Sequence, residues 1–421
     1  MNDPGLQNDD VYPAGRLPAK SPTRRRRTWP QRLVLTMNSV VVVACVIAAT
    51  VIYYGSEKAN DRKVVEIVGS QNIPTLTLPT KPVNGSTAPQ VDLTAKNFLI
   101  TGSDNGACID PDSPYAGAFG DRGGLGERAD TIMVLRLDPT TKAAAVLSFP
   151  RDLWVKIGGK STRGRINGAF NRDDPNRLIV TIYDNFGITI DHYVNIDFCA
   201  FKKIVDAVGG VKVPFDTPIK DENTGLLIET AGCHNFEGEE GLAYVRSRKL
   251  RYFDAERQVW REDPNSDRGR ISRQQDFLRR AIQKAIDKGS GSPRVAKQLI
   301  DAGIQNVILD SNLTAGKILE LALAMRDLDP ATMRTYQIEG QGTTISGQDV
   351  IEPTLDSENM IAILAIFQGT AALALAPEQT TSSSSPTPTE SVPADSSVST
   401  TVFGVASNSV GILPSDDPTC R

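Results

Sequence analysis

Between Tyr244 and Gln274 arginine displaces lysine almost completely. Tyr244-Val245-Arg246-Ser247-Arg248 is followed by a charged insert and then by Asp267-Arg268-Gly269-Arg270-Ile271-Ser272-Arg273-Gln274. A guanidinium is a planar fork that keeps its charge and grips phosphate or carboxylate through two hydrogen bonds at once. Its repeated use points to a multiply charged anion. Arg246 and Arg248 alternate, which on a strand places them on one face. Arg270, Arg273 and Gln274 stand at i, i+3 and i+4, which on a helix makes one patch. The competing reading is a solvated surface helix with ordinary salt bridges to Asp254, Glu256, Glu262 and Asp263.

Residues of matching chemistry stand elsewhere. Asp104 ends one apolar run, and Arg128 and Asp130 open the next. Arg151 leaves the end of a third, and Arg165 and Asn167 follow in a Gly-flanked loop. In open α/β sheets ligands collect at strand ends. Two carboxylates and many arginines suit a Mg²⁺ ion that takes oxygen ligands from one or two acids and from substrate phosphates. Arginines then neutralise the remaining phosphate charge. The chain has only two histidines, His192 and His234, which excludes a multi-His metal centre and disfavours zinc or copper. No Walker loop or GxGxxG cradle is present, so nucleotide binding has no support. Asp152, beside Arg151, reads as a residue that orients a loop or an arginine. His192 and His234 read as structural, and Trp154, Trp260 and Tyr244 as core or groove wall.

The elements that must position these groups follow from patterning. Short apolar runs at 97–101, 131–137, 143–149, 193–196, 211–213 and 333–338 read as strands. Helical spacing marks 176–186, 198–208, 271–286, 293–303 and 313–328. Residues 360–368 close the ordered part. Alternation of β and α segments favours a layered α/β fold.

The ends of the chain differ in character. Residues 1–32 are polar and then strongly basic (Arg24 to Arg27), and read as a disordered cytoplasmic tail. Residues 33–54 are nearly all apolar and uncharged, long enough to cross a bilayer. The preceding arginines place the N-terminus inside and all that follows Gly55 outside; a cleaved signal peptide is the rival reading. Residues 55–90 read as a linker, 91–370 as the extracytoplasmic domain, and 371–421 as a disordered Ser/Thr/Pro-rich tail. Net charge is −4, so the protein is no polyanion binder by bulk charge; its cations are concentrated instead. Four cysteines lie outside the span, and Cys199 with Cys233, both flanking core elements, is the expected disulfide. The alternative is that both are plain buried apolar residues.

The blocks Gly102-Ser103-Asp104, Arg128-Ala129-Asp130-Thr131, Ser148-Phe149-Pro150-Arg151-Asp152, Arg165-Ile166-Asn167, Gly209-Gly210-Val211, Gly238 to Leu242, Tyr244 to Arg248 and Gly269 to Gln274 occur in this order over residues 95 to 287. In this the chain resembles the LytR-CpsA-Psr family, the bacterial cell-wall glycopolymer ligases. The resemblance implies an α/β/α sandwich with a central mixed sheet and a long apolar groove for a polyprenyl chain. It implies a single-pass membrane enzyme that moves a glycopolymer, as a glycosyl phosphate, from a polyprenyl pyrophosphate carrier to a peptidoglycan hydroxyl. Arabinogalactan, teichoic acid and capsular polysaccharide all fit as the polymer. Partners are then that lipid-linked polymer, peptidoglycan and the membrane, with no nucleic acid. By matching position, Asp104 and Asp130 hold Mg²⁺, and Arg128, Arg151, Arg246, Arg248, Arg270 and Gln274 line the phosphates, with Arg273, Arg165 and Asn167 beside them. Asp130 is the family-level candidate to accept the proton of the attacking hydroxyl. Two other functions fit the residues: a pyrophosphatase, with water as acceptor, and a non-enzymatic scaffold that binds wall polymers. The insert from Lys249 to Ser266, longer than in most members, reads as a lid, a contact for the acceptor glycan, or a neutral surface insertion.

Overall fold

The computed structural model describes residues 63–67, 94–105, 108, 110–118, 128–289, 307–377, 414, 417 and 419–420. The expected helix at 293–303 and most of the linker and tail lie outside them, as does the apolar span 33–54. Among the described residues no helix is long and apolar enough to cross a membrane.

Seventeen strands are described. In chain order they are β1 (Val64–Val65), β2 (Lys96–Ser103), β3 (Ala129–Asp138), β4 (Ala143–Ser148), β5 (Trp154–Lys156), β6 (Arg163–Arg165), β7 (His192–Asp197), β8 (Val211–Phe215), β9 (Ile219–Asp221), β10 (Leu226–Ile228), β11 (Gly232–Phe236), β12 (Arg251–Asp254), β13 (Val259–Glu262), β14 (Val307–Asp310), β15 (Arg334–Gln337), β16 (Gly340–Ile345) and β17 (Gln348–Pro353). The helices are α1 (Asn176–Phe186), α2 (Phe198–Val208), α3 (Gly238–Arg246), α4 (Ser266–Gly289), α5 (Ala315–Ala324) and α6 (Glu358–Phe367).

Seven strands form the central sheet in the order β1-β14-β7-β2-β3-β4-β15. It is mixed: β7 with β2 and β4 with β15 are parallel, whereas β2-β3-β4 is an antiparallel meander. Its strands carry apolar residues on both faces because both faces are covered. Leu99, Val134 and Leu147 point to one core, shared with Leu178 and Ile182 of α1 and Ile363 and Phe367 of α6. Phe98, Met133 and Val146 point to the other, against Ile204 of α2 and Leu278 and Ile282 of α4. This is the α/β/α sandwich the resemblance implies.

A second core lies beside it. Phe236, Tyr244 and Phe277 join α3 and α4 to β8–β11, with Phe236 and Tyr244 stacked 4.7 Å apart. Tyr244 is therefore core, as expected. His192 stacks on Phe98 and pairs with Asp310, and His234 pairs with Glu240.

Several boundaries move. Val64–Val65, inside the expected linker, adds a parallel edge strand to β14, and Ile67 packs into the first core. Leu373 and Cys420, inside the expected tail, are buried. The expected Cys199–Cys233 disulfide is not formed. Cys199 pairs with Cys108, and Cys233 with Cys420. Cys199 sits in the first turn of α2, beside the loop that leaves β2 after Asp104. Cys233 sits on β11, where the final residues of the chain meet it. Arg246 and Arg248 share no strand either. Arg246 is the last residue of α3, and Ser247 leaves the helix with extended backbone, φ −57° and ψ 125°. Glu239 and Glu240 in the first turn and Arg246 in the last complement the helix dipole, a helix signal that outweighs the two-residue alternation.

Candidate active site

Asp130 stands at the centre of the site, and a local irregularity puts it there. In the β2–β3 ladder Gly102 faces Thr131 but Ser103 faces Ala129, so Asp130 is the extra residue of a bulge. A bulge re-aims one side chain without ending the sheet. Gly102 allows the close approach: a Cβ there would lie 3.0 Å from that of Thr131. Asp104 follows the end of β2, one strand over, and its Oδ1 accepts the Arg128 backbone N–H at 2.9 Å. The two aspartates thus leave neighbouring strands at the same edge of the sheet.

Four arginines from three segments converge on Asp130. Arg151 Nη1 donates to Oδ1 at 2.9 Å, Arg246 Nη2 lies 3.4 Å from Oδ2, and Arg248 Nη2 lies 3.6 Å from Oδ1. Arg270 Nη1 donates to the Asp130 backbone carbonyl at 3.0 Å. Each guanidinium is itself braced. Asp267 pairs with Arg248 at 3.2 Å and with Arg270 at 3.0 Å. Arg246 lies 4.4 Å from the ring centroid of Phe198, the first residue of α2. Asp152 contacts Arg151 at 3.3 Å and Arg165 at 3.4 Å, the orienting role its sequence position suggests.

Arg151, Arg165, Arg246, Arg248 and Arg270 stand against the carboxylates of Asp130, Asp152 and Asp267, so among these residues cations outnumber acids. The electrostatics follow from this crowding. Burial alone would raise the Asp130 carboxyl, but Arg246, Arg270, Arg248 and Arg151 outweigh it and bring it down to about 2. Burial and the neighbouring Arg270 and Arg151 lower Arg248, although a guanidinium stays charged in water. An anion with several oxygens would relieve that crowding. A carboxyl held this low by its guanidinium neighbours stays ionised at neutral pH.

The remaining expected residues fall into three groups. Arg165 lies one ion pair away, through Asp152, and also donates to the Asp349 carbonyl at 2.8 Å. Asn167 donates its backbone N–H to the Arg151 carbonyl, which ties that loop to the site. Gln274 donates to the Val245 carbonyl at 3.1 Å and supports the end of α3. Arg128 is exposed at the start of β3 and makes no ion pair with the cluster among the described residues.

Arg273 differs from all of these. It is fully buried, with Nη1 on Asp263 at 2.7 Å and Nη2 on the Ser247 carbonyl at 2.6 Å. It cannot reach a substrate, so the expected patch of Arg270, Arg273 and Gln274 does not form. Arg273 fixes the turn between Arg246 and Arg248 instead, and Asp221 holds that turn from the other side through the Ser247 hydroxyl at 2.6 Å. Gly269 makes room for the pair, since a Cβ there would lie 2.3 Å from Asp263 Oδ2.

Sequence reasoning missed Phe198, Asp221 and a role for Asp267. Only Asp267 carried a usable signal, an acid three residues before Arg270 on a helix. A small cavity elsewhere, lined by Lys212, Arg279, Arg280 and Lys284, contains none of these groups.

Fold and site together define an α/β/α protein with a cluster of arginines around Asp130 at one edge of its central sheet. The LytR_cpsA_psr family model matches residues 75–364, well over half of the chain, and the chain belongs to that family. It is 34% identical over 247 residues to the probable cell wall biosynthesis protein LcpB of Corynebacterium glutamicum, covering 58% of this chain and 55% of that protein. It is 31% identical over 240 residues to the polyisoprenyl-teichoic acid–peptidoglycan teichoic acid transferase TagV of Bacillus subtilis, covering 52% and 57%. The chain spans about half the length of the curated relatives it matches. Among solved structures the fold matches the LytR-Csp2A-Psr enzyme from Actinomyces oris, with a TM-score of 0.51, 21% identity and coverage of 73% of this chain and 96% of that one.

Proposed function

We propose that the protein is a phosphotransferase that moves a glycopolymer from a polyprenyl diphosphate carrier to a hydroxyl of peptidoglycan. The observation that carries this reading is the convergence of Arg151, Arg246, Arg248 and Arg270 on Asp130. Membership of the LytR_cpsA_psr family and the likeness to the teichoic acid transferase TagV support it.

In this reading Arg151, Arg246 and Arg248, 14–33% exposed, bind the diphosphate and spread its charge as the bond breaks, while the buried Arg270 holds the Asp130 backbone. The acceptor oxygen bonds to the phosphorus next to the sugar, the bridging P–O bond breaks, and polyprenyl phosphate leaves with the electron pair. The proton of the acceptor hydroxyl passes to the departing polyprenyl phosphate, directly or through water. Asp267, Asp152 and Phe198 hold the arginines in place.

Among the described residues no group of three or more His, Cys, Asp or Glu gathers around a point, so an all-protein metal cage does not fit. A Mg²⁺ ion shared with the substrate does fit: Asp104 and Asp130 offer two hard oxygen donors at adjacent strand ends, and Asp130 needs to lose no proton above about pH 2. Bound there, the ion would add positive charge against the phosphate oxygens. The apolar segment 33–54 would anchor the domain outside the cell membrane. The two disulfides agree with an oxidising, extracytoplasmic setting.

The test is turnover of a polyprenyl-diphosphate-linked oligosaccharide by the purified full-length protein, with and without peptidoglycan and Mg²⁺. Polymer-linked peptidoglycan is the expected product. Free sugar phosphate in equal yield with and without peptidoglycan would make the protein a diphosphatase. Full turnover by both Arg246→Ala and Asp130→Ala would remove the site assignment.

A further inference from the structure

The insert that separates Arg248 from Asp267 forms the hairpin β12–β13, which completes a four-stranded sheet in the order β10-β9-β12-β13. The register assigns its faces. Leu227 faces Lys220, Lys220 faces Arg251, and Arg251 faces Glu262. Phe253 and Trp260 face each other two positions along, on the same side. The opposite side carries Ile219, Leu226 and Ile228, buried in the second core, with Tyr252 packed against them. The first side therefore turns away from the core.

A solvated sheet face is normally polar. Here Leu227 is 52% and Trp260 36% exposed. Phe253 meets Trp260 edge to face at 5.5 Å, and Lys220 Nζ lies 4.8 Å from the Trp260 ring centroid. Around these rings stand cations and acids in near balance: Arg251 lies 3.7 Å from Glu262, and Lys220 2.9 Å from Glu222.

We propose that this face binds the glycan strand of the acceptor, an inference that rests on the phosphotransferase reading above. A pyranose ring has an apolar C–H face and a rim of hydroxyls that both donate and accept. Paired aromatics bordered by ammonium and guanidinium donors and by carboxylate acceptors match both parts. A bilayer surface matches less well, because Glu222 and Glu262 repel anionic headgroups. Continuity with the site supports the same occupant. Arg251 follows Arg248 by three residues, Glu262 precedes Asp267 by five, and Arg248 and Asp267 contact each other at 3.2 Å. The hairpin is thus rooted in the anion site at both ends, and a glycan lying along it has a route to the arginines.

Three readouts on the purified full-length protein test this. Binding to uncrosslinked GlcNAc–MurNAc glycan strands is followed by Trp fluorescence and co-sedimentation, donor binding with the polyprenyl diphosphate oligosaccharide, and surface binding with vesicles containing 30 mol% anionic lipid, an order-of-magnitude composition for such surfaces. The double variant Phe253→Ala/Trp260→Ala is expected to weaken strand binding at least about tenfold, as loss of a stacking platform does, while Trp260→Phe, which keeps an aromatic face and controls for folding of the hairpin, retains most of it. Unchanged strand affinity in the double variant overturns the proposal, as does equal loss in Trp260→Phe. Loss of vesicle binding with strand binding intact overturns it in favour of a membrane surface. A parent protein that binds strands but not the diphosphate lipid sinks the phosphotransferase reading and leaves the hairpin result standing, so the two failures are distinguishable.

Discussion

Two sets of aspartate–arginine pairs flank the start of α4, and they do opposite things. In the Asp263–Arg273 pair one acid meets one guanidinium, both side chains have no solvent exposure, and Nη2 donates to the Ser247 carbonyl. Around Asp130 one buried carboxylate is shared by Arg151, Arg246 and Arg248, which stay 14–33% exposed. The residue types are identical. Stoichiometry and access separate them: a matched, dry pair is a strut, and a partly exposed group of cations that outnumber their acids is, in the proposed reading, a receptor. The strut serves the receptor, because Ser247 lies between two of the receptor's arginines.

The comparison predicts distinct consequences when each set is cut. The largest is Arg273→Ala, which leaves the Asp263 carboxylate buried without a partner; a loss of about 3–5 kcal/mol of stability is expected in denaturant titration. Replacing both Asp263 and Arg273 by apolar residues should restore much of it. If Arg273→Ala unfolds at the parent's midpoint, the pair is no strut.

Next comes Arg246→Ala, where stability should change little and turnover of the diphosphate lipid should fall by about 10²–10³, or roughly 3 kcal/mol of transition-state stabilisation. A variant that loses stability instead of turnover would erase the distinction.

The acid limb of the stability curve sharpens it further. Asp130 is depressed from 3.8 to about 2 in the folded protein, so its contribution is fully present above about pH 4 and is lost as pH falls toward 2. Linkage makes this about 2 kcal/mol. Asp130→Asn should flatten that limb, and Arg246→Ala should move it to higher pH, both read from urea midpoints between pH 2 and 5. The smallest effect is expected at Arg163, whose pair with Glu352 is 44% and 43% exposed. Arg163→Ala should change stability by less than about 0.5 kcal/mol and leave turnover alone.

Much of the fold was legible in the sequence. Helices 176–186 and 198–208 have the bounds their spacing predicts, because apolar residues recur on one face and a left-handed glycine closes each, Gly187 with φ 67° and Gly209 with φ 80°. The site was legible as a set of residue types. Asp130, Arg151, Arg246, Arg248 and Arg270 do come together, but Arg273, three residues from Arg270, points to a different neighbour. Nothing in a Gly-Arg-Ile-Ser-Arg string tells which arginine faces Asp130, 140 residues away. The disulfides were equally silent, since Cys233 and Cys420 are 187 residues apart and meet only through the folded surface between them.

The sequence by itself determined the local periodicities, the layered α/β class and the pool of acids and arginines from which an anion site is drawn, because these depend on near neighbours in the chain. Only the tertiary structure decided that Asp130 sits in a bulge, that the end of α3 turns back on Asp221 and Arg273, and which cations remain in excess. Charge balance is a sum over space, and side chains from β3, α3, α4 and the loop after β4 enter that sum only once the sheet has brought their ends together.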